Sequence, residues 1–210
     1  MRARTLVFAK APIPGQVKTR LISRLGAQGA ARLQAWLIDR TLATAVAARL
    51  GPVELCCAPD HNHGFFTACG QRYALTLADQ GTGDLGERMH RALARATRAG
   101  APVLLVGCDC PALSVADLGA ALAQLDKAVD LVFIPAEDGG YVLVGATHAP
   151  RAVFHGVEWG TAQVMAQTRE RLRHSALRWV ELATLWDLDR PADYDRLLRE
   201  GYLRAPEASV

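Results

Sequence analysis

Pro102-Val103-Leu104-Leu105-Val106-Gly107-Cys108-Asp109-Cys110-Pro111 is the stretch that decides the fold. Residues 103–106 are apolar at every position, so both faces of the strand they predict need cover, as in the middle of a parallel sheet. Working outward, further apolar, β-rich runs occur at Thr5–Ala9, Val53–Ala58, Arg72–Leu77, Leu131–Ile134, Tyr141–Val144 and Leu177–Glu181. Helical periodicity lies between several of them: Ala30–Ala48, Leu85–Ala99, Ala116–Leu125 and Ala162–His174. Strands alternating with helices of this length predict a three-layer α/β/α sandwich with a mostly parallel central sheet. Ser114-Val-Ala-Asp117 reads as a capping box that starts the helix after the central strand. Open α/β sheets bind ligands beyond the carboxyl ends of their strands, which puts Cys108–Pro111 at the expected site.

The chain has 210 residues, 50% of them hydrophobic, enough for one sizeable core and short for two catalytic domains. One domain over 1–204 is expected, with a flexible C-terminal tail at 205–210. The formal net charge is +3, with the basic residues scattered, a pattern that favours small phosphorylated substrates over nucleic acid. The basic start and brief apolar run at 1–7 are too short for a secretory signal. No apolar run reaches the roughly 18 residues a membrane span needs, so no stable membrane insertion and a cytoplasmic location are expected. Five cysteines without a Cys-x-x-Cys pair predict reduced thiols. Cys56 and Cys57 would point to opposite faces of their strand, which argues against a zinc site shared with His61 and His63. The pattern carries no signal for an oligomeric state.

Phe8–Leu21 runs from an apolar strand into a Pro/Gly-shaped loop that carries Lys10, Lys18 and Arg20. It is neither a Walker A loop nor a dinucleotide-binding turn, so these cations would act as side-chain clamps on phosphates. Lys18 offers a point charge and Arg20 a planar fork, a combination suited to a diphosphate. Arg88, beside Gly83–Glu87, is a candidate for the same mouth or an ordinary helix-surface residue. Asp109 sits at the end of a buried strand, where a carboxylate needs a cation and magnesium is the natural one; the alternative is a turn or N-cap aspartate. Asp138, in Glu137-Asp138-Gly139-Gly140-Tyr141 between two strands, is a candidate metal ligand or general base, or part of a tight turn. Asp187 and Asp189 flank Leu188 and would share one side of an extended segment, with Asp189 a candidate metal ligand or the cap of a helix starting near Pro191. Trp159 precedes a helix and either stacks on a ligand or packs in the core; Thr161 is that helix's candidate N-cap. The six histidines form no catalytic or metal-binding motif.

Taken in order, Ala9–Leu21, Gly81–Met89, Gly107–Pro111, Ala136–Tyr141, Glu158–Thr161 and Asp187–Pro191 resemble the bacterial GT-A-like family of radical-SAM/selenodomain-associated transferases. The resemblance covers nearly the whole chain and implies the nucleotide-diphospho-sugar transferase (GT-A) superfold. It implies Lys18 and Arg20 on phosphates, Asp109 on a metal and Asp138 beside the acceptor. On the reading of the residues themselves, Lys10, Arg88 and Trp159 are further candidate contacts to the nucleotide co-substrate, and Asp138 and Asp189 further candidate ligands, with Asp109, of Mg2+ or Mn2+. The implied activity is metal-dependent transfer of a sugar from a nucleotide-diphospho-sugar to a small acceptor. The superfold equally hosts nucleotidyl transfer from a nucleoside triphosphate with release of pyrophosphate, and a nucleotide-binding accessory protein without turnover is a third alternative. Two departures stand out. Asp109-Cys-Pro replaces the Asp-x-Asp of metal-dependent GT-A enzymes, and Pro12-Ile-Pro-Gly15 replaces the glycine-rich opening of sugar nucleotidyltransferases.

Overall fold

The computed structural model describes residues 2–127 and 129–203; the tail expected at 205–210 lies outside the described residues. Its strands are β1 (Arg4–Lys10), β2 (Val53–Ala58), β3 (Thr76–Asp79), β4 (Val103–Gly107), β5 (Leu131–Pro135), β6 (Tyr141–Ala146) and β7 (Trp179–Glu181). They form one sheet in the order β3-β2-β1-β4-β6-β5-β7. Every pairing is parallel except those of β6, which runs antiparallel to both β4 and β5. The cause is the connection: only a short turn joins β5 to β6, and a turn can join only antiparallel neighbours, whereas parallel strands need a crossover. The start of β6 therefore lies at the same sheet edge as the ends of β1, β4 and β5.

The helices are α1 (Ile22–Ala47), α2 (Gly64–Tyr73), α3 (Leu85–Thr97), α4 (Val115–Leu125), α5 (Arg151–Phe154), α6 (Val164–Arg173) and α7 (Pro191–Arg199). One face of the sheet packs Val7, Leu55, Leu104 and Val132 against Ile38 and Leu42 of α1, Phe66 of α2 and Leu118 of α4. The other packs Leu6, Leu105, Phe133 and Val144 against Met89 and Leu93 of α3, Phe154 of α5 and Met165 of α6. Each of these side chains contributes roughly 1.5–3 kcal/mol by leaving water. This is the three-layer arrangement with a mostly parallel sheet that the alternation of runs predicts. A third cluster joins Leu21, Leu33 and Leu37 to Trp186, Leu188, Tyr194 and Leu197, tying the N-terminal loop and α1 to the C-terminal segment.

Cys56 and Cys57 do lie in opposite layers, and burial pushes both thiols up. All five cysteines are free and buried. The strand expected over Arg72–Leu77 is corrected: Arg72 and Tyr73 complete α2, Ala74 takes a left-handed φ of 52° that ends it, and β3 begins at Thr76. The first helix also starts earlier than its periodicity predicts, with a break at Gly26 (φ 66°, ψ 166°). No helix among the described residues is long and apolar enough to cross a membrane.

Candidate active site

The site is built where β1, β4, β5 and β6 meet at one edge of the sheet. After β1 the chain turns through the Pro/Gly loop and reaches Lys18, which adopts a left-handed conformation (φ 47°, ψ 41°) ahead of a 3-10 turn over Thr19–Leu21. A β-carbon in that region costs roughly 1–2 kcal/mol, so the position is held by what the side chain does. Its ammonium donates to Asp109 Oδ1 at 2.5 Å and to the Leu188 carbonyl at 2.5 Å, and the side chain is 5% exposed. The Leu188 N–H in turn donates to the Asp109 carbonyl at 2.7 Å. One buried cation thus fastens the N-terminal loop, the end of β4 and the segment at 186–189.

Leu188 is fully buried in the third cluster, and the two carboxylates beside it both face the cleft, as strand-like alternation predicts. Asp189 accepts from Arg20. The cap of α7 is Arg190 rather than Asp189, and Asp193 accepts from the N–H groups of both residues. The Asp187 carboxyl is pushed up to about 6 by burial first, then by the charges of Asp138 and Asp109.

Asp138 lies in the turn between β5 and β6. Its Oδ1 accepts the Gly140 N–H at 2.8 Å, and the residue lines the cleft. Gly139 makes the turn with φ 93°, and a Cβ there would fall 2.2 Å from the Ala162 carbonyl oxygen. Only glycine admits that approach, which brings Gly160 and Thr161 to the cleft wall. Thr161 is not the cap of α6, which is Gln163; its hydroxyl donates to the Glu158 carbonyl and accepts from the Gln163 N–H.

The cleft has a volume of about 390 Å³. Arg20, Asp109, Asp138, Asp187 and Asp189 form its polar side, and a smaller hollow of about 300 Å³ continues that side past Glu137 and Arg190. Trp159 stands opposite, edge-on to Tyr141 at 6.0 Å. Lys10 and Arg88 do not line this cleft, and Lys18 lies buried behind Asp109 rather than on its wall. Lys10 donates to the Gln16 carbonyl in its own loop at 2.8 Å. Arg88 donates to Gln80 at 2.8 Å, and the Gln80 amide is anchored on the carbonyls of Ala9 and Cys56 at the ends of β1 and β2. Gln80 escaped the sequence reading because a lone glutamine after a short edge strand carries no pattern.

The three expected metal ligands are not gathered into one group: Asp189 is engaged by Arg20, and Asp187 is the member of its segment coupled to Asp109 and Asp138. Among the described residues no three His, Cys, Asp or Glu side chains form a closed metal cage. A magnesium-type ion needs no such cage, because it keeps waters and substrate phosphate oxygens and takes only one or two carboxylates. Burial first, and then the charges of Asp138 and Asp109, raise Asp187; an added cation offsets both, so this donor set fits such an ion.

The sequence profile of a family described as "Uncharacterized protein conserved in bacteria (DUF2064)" matches residues 41–161. No curated protein matches the chain. Among solved structures, a candidate nucleotide-diphospho-sugar transferase from Desulfovibrio desulfuricans G20 is 31% identical, with a TM-score of 0.86 over 100% of this chain and 92% of its own. The 4-diphosphocytidyl-2C-methyl-D-erythritol synthase of Anaerococcus prevotii DSM 20548 is 12% identical, with a TM-score of 0.64 over 95% of each chain. A nucleotidyl transferase from Methanothermobacter thermautotrophicus is 17% identical, with a TM-score of 0.61 over 97% of this chain and 98% of its own. The last two share the fold.

Proposed function

The chain belongs to the DUF2064 family, and on that premise we propose that it is a nucleotide-dependent transferase of the cytoplasm that moves a sugar from a nucleotide-diphospho-sugar to a small acceptor with the help of Mg2+ or Mn2+. The likeness at 31% identity to a candidate nucleotide-diphospho-sugar transferase supports the donor class. The observation that carries the reading is the shared cleft: Asp109, Asp138 and Asp187 from three chain segments face it, with Arg20 on its wall and Lys18 bonded to Asp109.

Arg20 presents its guanidinium to a diphosphate while Asp189 holds it in place. Lys18 spends two of its N–H groups on Asp109 and the Leu188 carbonyl, so that it holds Asp109 at the cleft and adds its positive charge beside the phosphates. Asp109 and Asp187 would hold a divalent cation, which would neutralise charge on the departing diphosphate. Asp138, fixed through Oδ1, takes the proton of the acceptor hydroxyl on its other oxygen. The acceptor oxygen then bonds to the anomeric carbon, and the bond from that carbon to the diphosphate oxygen breaks, its electron pair leaving with the nucleoside diphosphate.

The test is a titration of the full chain with UDP-, GDP-, ADP- and dTDP-sugars and the four nucleoside triphosphates, with and without Mg2+ or Mn2+. Metal-dependent binding of one nucleotide-sugar, weakened in Asp109→Asn, is the expected result. Asp138→Asn is expected to keep donor binding and lose transfer by about 10²–10⁴-fold. Preference for a triphosphate, with pyrophosphate released, replaces this reading by nucleotidyl transfer. Binding without product in every combination of donor and alcohol tried would point to an accessory protein, and no binding of either nucleotide class overturns the proposal.

A further inference from the structure

The half of the cleft facing away from the carboxylates is an inward continuation of one hydrophobic layer of the fold. Its floor is Phe8 of β1 and Leu105 of β4, with Val142 of the opposite hydrophobic cluster at its border; Leu85 and Met89 of α3 roof it. The polar side-chain atom nearest this half, the Tyr141 hydroxyl, is turned onto Met89 Sδ at 3.9 Å, and Trp159 Nε1 is buried against Gly86 rather than presented to the cleft. A polyol placed here would leave its hydroxyls without partners, at roughly 1–3 kcal/mol each. An apolar body loses nothing.

Gly107 adds an independent observation. It pairs with Phe8 near the end of β4, where a β-branched residue is the usual choice, and its φ is not in the left-handed region. A Cβ built on it meets nothing within 4 Å, so no close approach of the protein requires glycine. It borders the cleft, and a side chain there would occupy the cleft's floor.

We propose that this half of the cleft is the acceptor subsite and that the acceptor is an alcohol with a hydrophobic body, aliphatic or aromatic, whose hydroxyl reaches Asp138 while the body lies over Gly107. The assignment rests on the transferase reading for the reaction, and on the pocket alone for the chemistry of the ligand. The proton passes to Asp138 and the alcohol oxygen gains the sugar, with the nucleoside diphosphate as leaving group, as above.

Calorimetric titration of the full chain with primary alcohols from butanol to octanol, benzyl alcohol, glycerol and glucose tests it without a donor. Affinity is expected to rise about fourfold per added methylene until the pocket is full, the equivalent of about 0.8 kcal/mol per buried CH2. Glycerol and glucose are expected not to bind. Gly107→Val should fold, with unchanged circular dichroism, and weaken octanol binding at least tenfold. Flat affinity across the alcohol series, tighter binding of glucose, or undiminished octanol binding by Gly107→Val each overturns the subsite. Nucleotide-sugar titration of the unaltered protein separates the two readings: donor binding with no alcohol dependence sinks the subsite alone. Length-dependent alcohol binding with no nucleotide binding sinks the acceptor role together with the transferase reading.

Discussion

Lys18 combines a left-handed backbone, a buried ammonium and two partners distant in the chain. Lys18→Met keeps the length of the side chain and removes both bonds. The exposed Asp109 carboxylate can rehydrate, so the cost falls on the Leu188 carbonyl, and a loss of about 1–3 kcal/mol in urea unfolding is expected. Lys18→Arg is not a rescue, because a forked guanidinium does not fit a pocket shaped for one nitrogen. At this scale the sequence was informative about residue type and poor about pairing. A lysine in a phosphate-type loop and an aspartate at a strand mouth both stood out, yet nothing local says that they meet across 91 positions. Alternation around Leu188 put Asp187 and Asp189 on one side; which of them Arg20 would take depends on the path of a loop 169 positions away.

Among the elements, α3 does the most positioning. Asp84 and Glu87 close a capping box at its start, and Gly86 in its first turn lets the chain at 154–159 pass close by. A Cβ on Gly86 would fall 2.2 Å from the Phe154 carbonyl oxygen and 2.4 Å from Trp159 Nε1. Gly86→Ala is therefore expected to cost about 1–3 kcal/mol and to move Trp159, read as a red-shifted tryptophan emission. Further along, Arg95 of α3 clamps Glu54 of β2, with one hydrogen bond at 3.0 Å and a second from Nη2, while Arg4 of β1 stands 4.0 Å away. Burial alone would raise the Glu54 carboxyl, but Arg95's hydrogen bonds and charge outweigh it, and the group titrates below its usual 4.5. A lowered carboxyl stabilises the fold above its ordinary pKa and loses that contribution as pH falls through the lowered value. Glu54→Gln should thus cost roughly 1–3 kcal/mol at pH 7, moderated by the half-exposed Arg95, and the gap to the unaltered protein should narrow in thermal melts as the pH falls through that lowered value. Strong periodicity made α3, α4 and α6 legible, and apolar runs did the same for six strands. The helix at Gly64–Tyr73 was missed because it is capped by His63, a residue outside the usual N-cap set, and buries only Phe66 and Cys69. The strand assigned across its end failed for the same reason: apolar residues of a helix terminus and of β3 run together in sequence.

For the molecule as a whole, the reversed β6 explains why a single sheet edge collects the site. The turn that reverses the chain holds Asp138, the parallel β4 ends at Asp109, and both come to the edge from which the loop bearing Lys18 leaves β1. The layer architecture was readable from the run order; the position of β6 between β4 and β5 was not, since a short turn fixes its direction and its pairing with one neighbour but not its second neighbour. The clamp on Lys18 also has a consequence in time. Its carbonyl partner is made 170 residues later, which at bacterial rates of ~5–20 residues per second is a delay of about 10–30 s. Until the ribosome has delivered Leu188, the loop has neither its carbonyl nor the apolar cluster that backs it. That edge is in this sense completed late, and a nascent chain with most of its sheet already made would still lack the clamp.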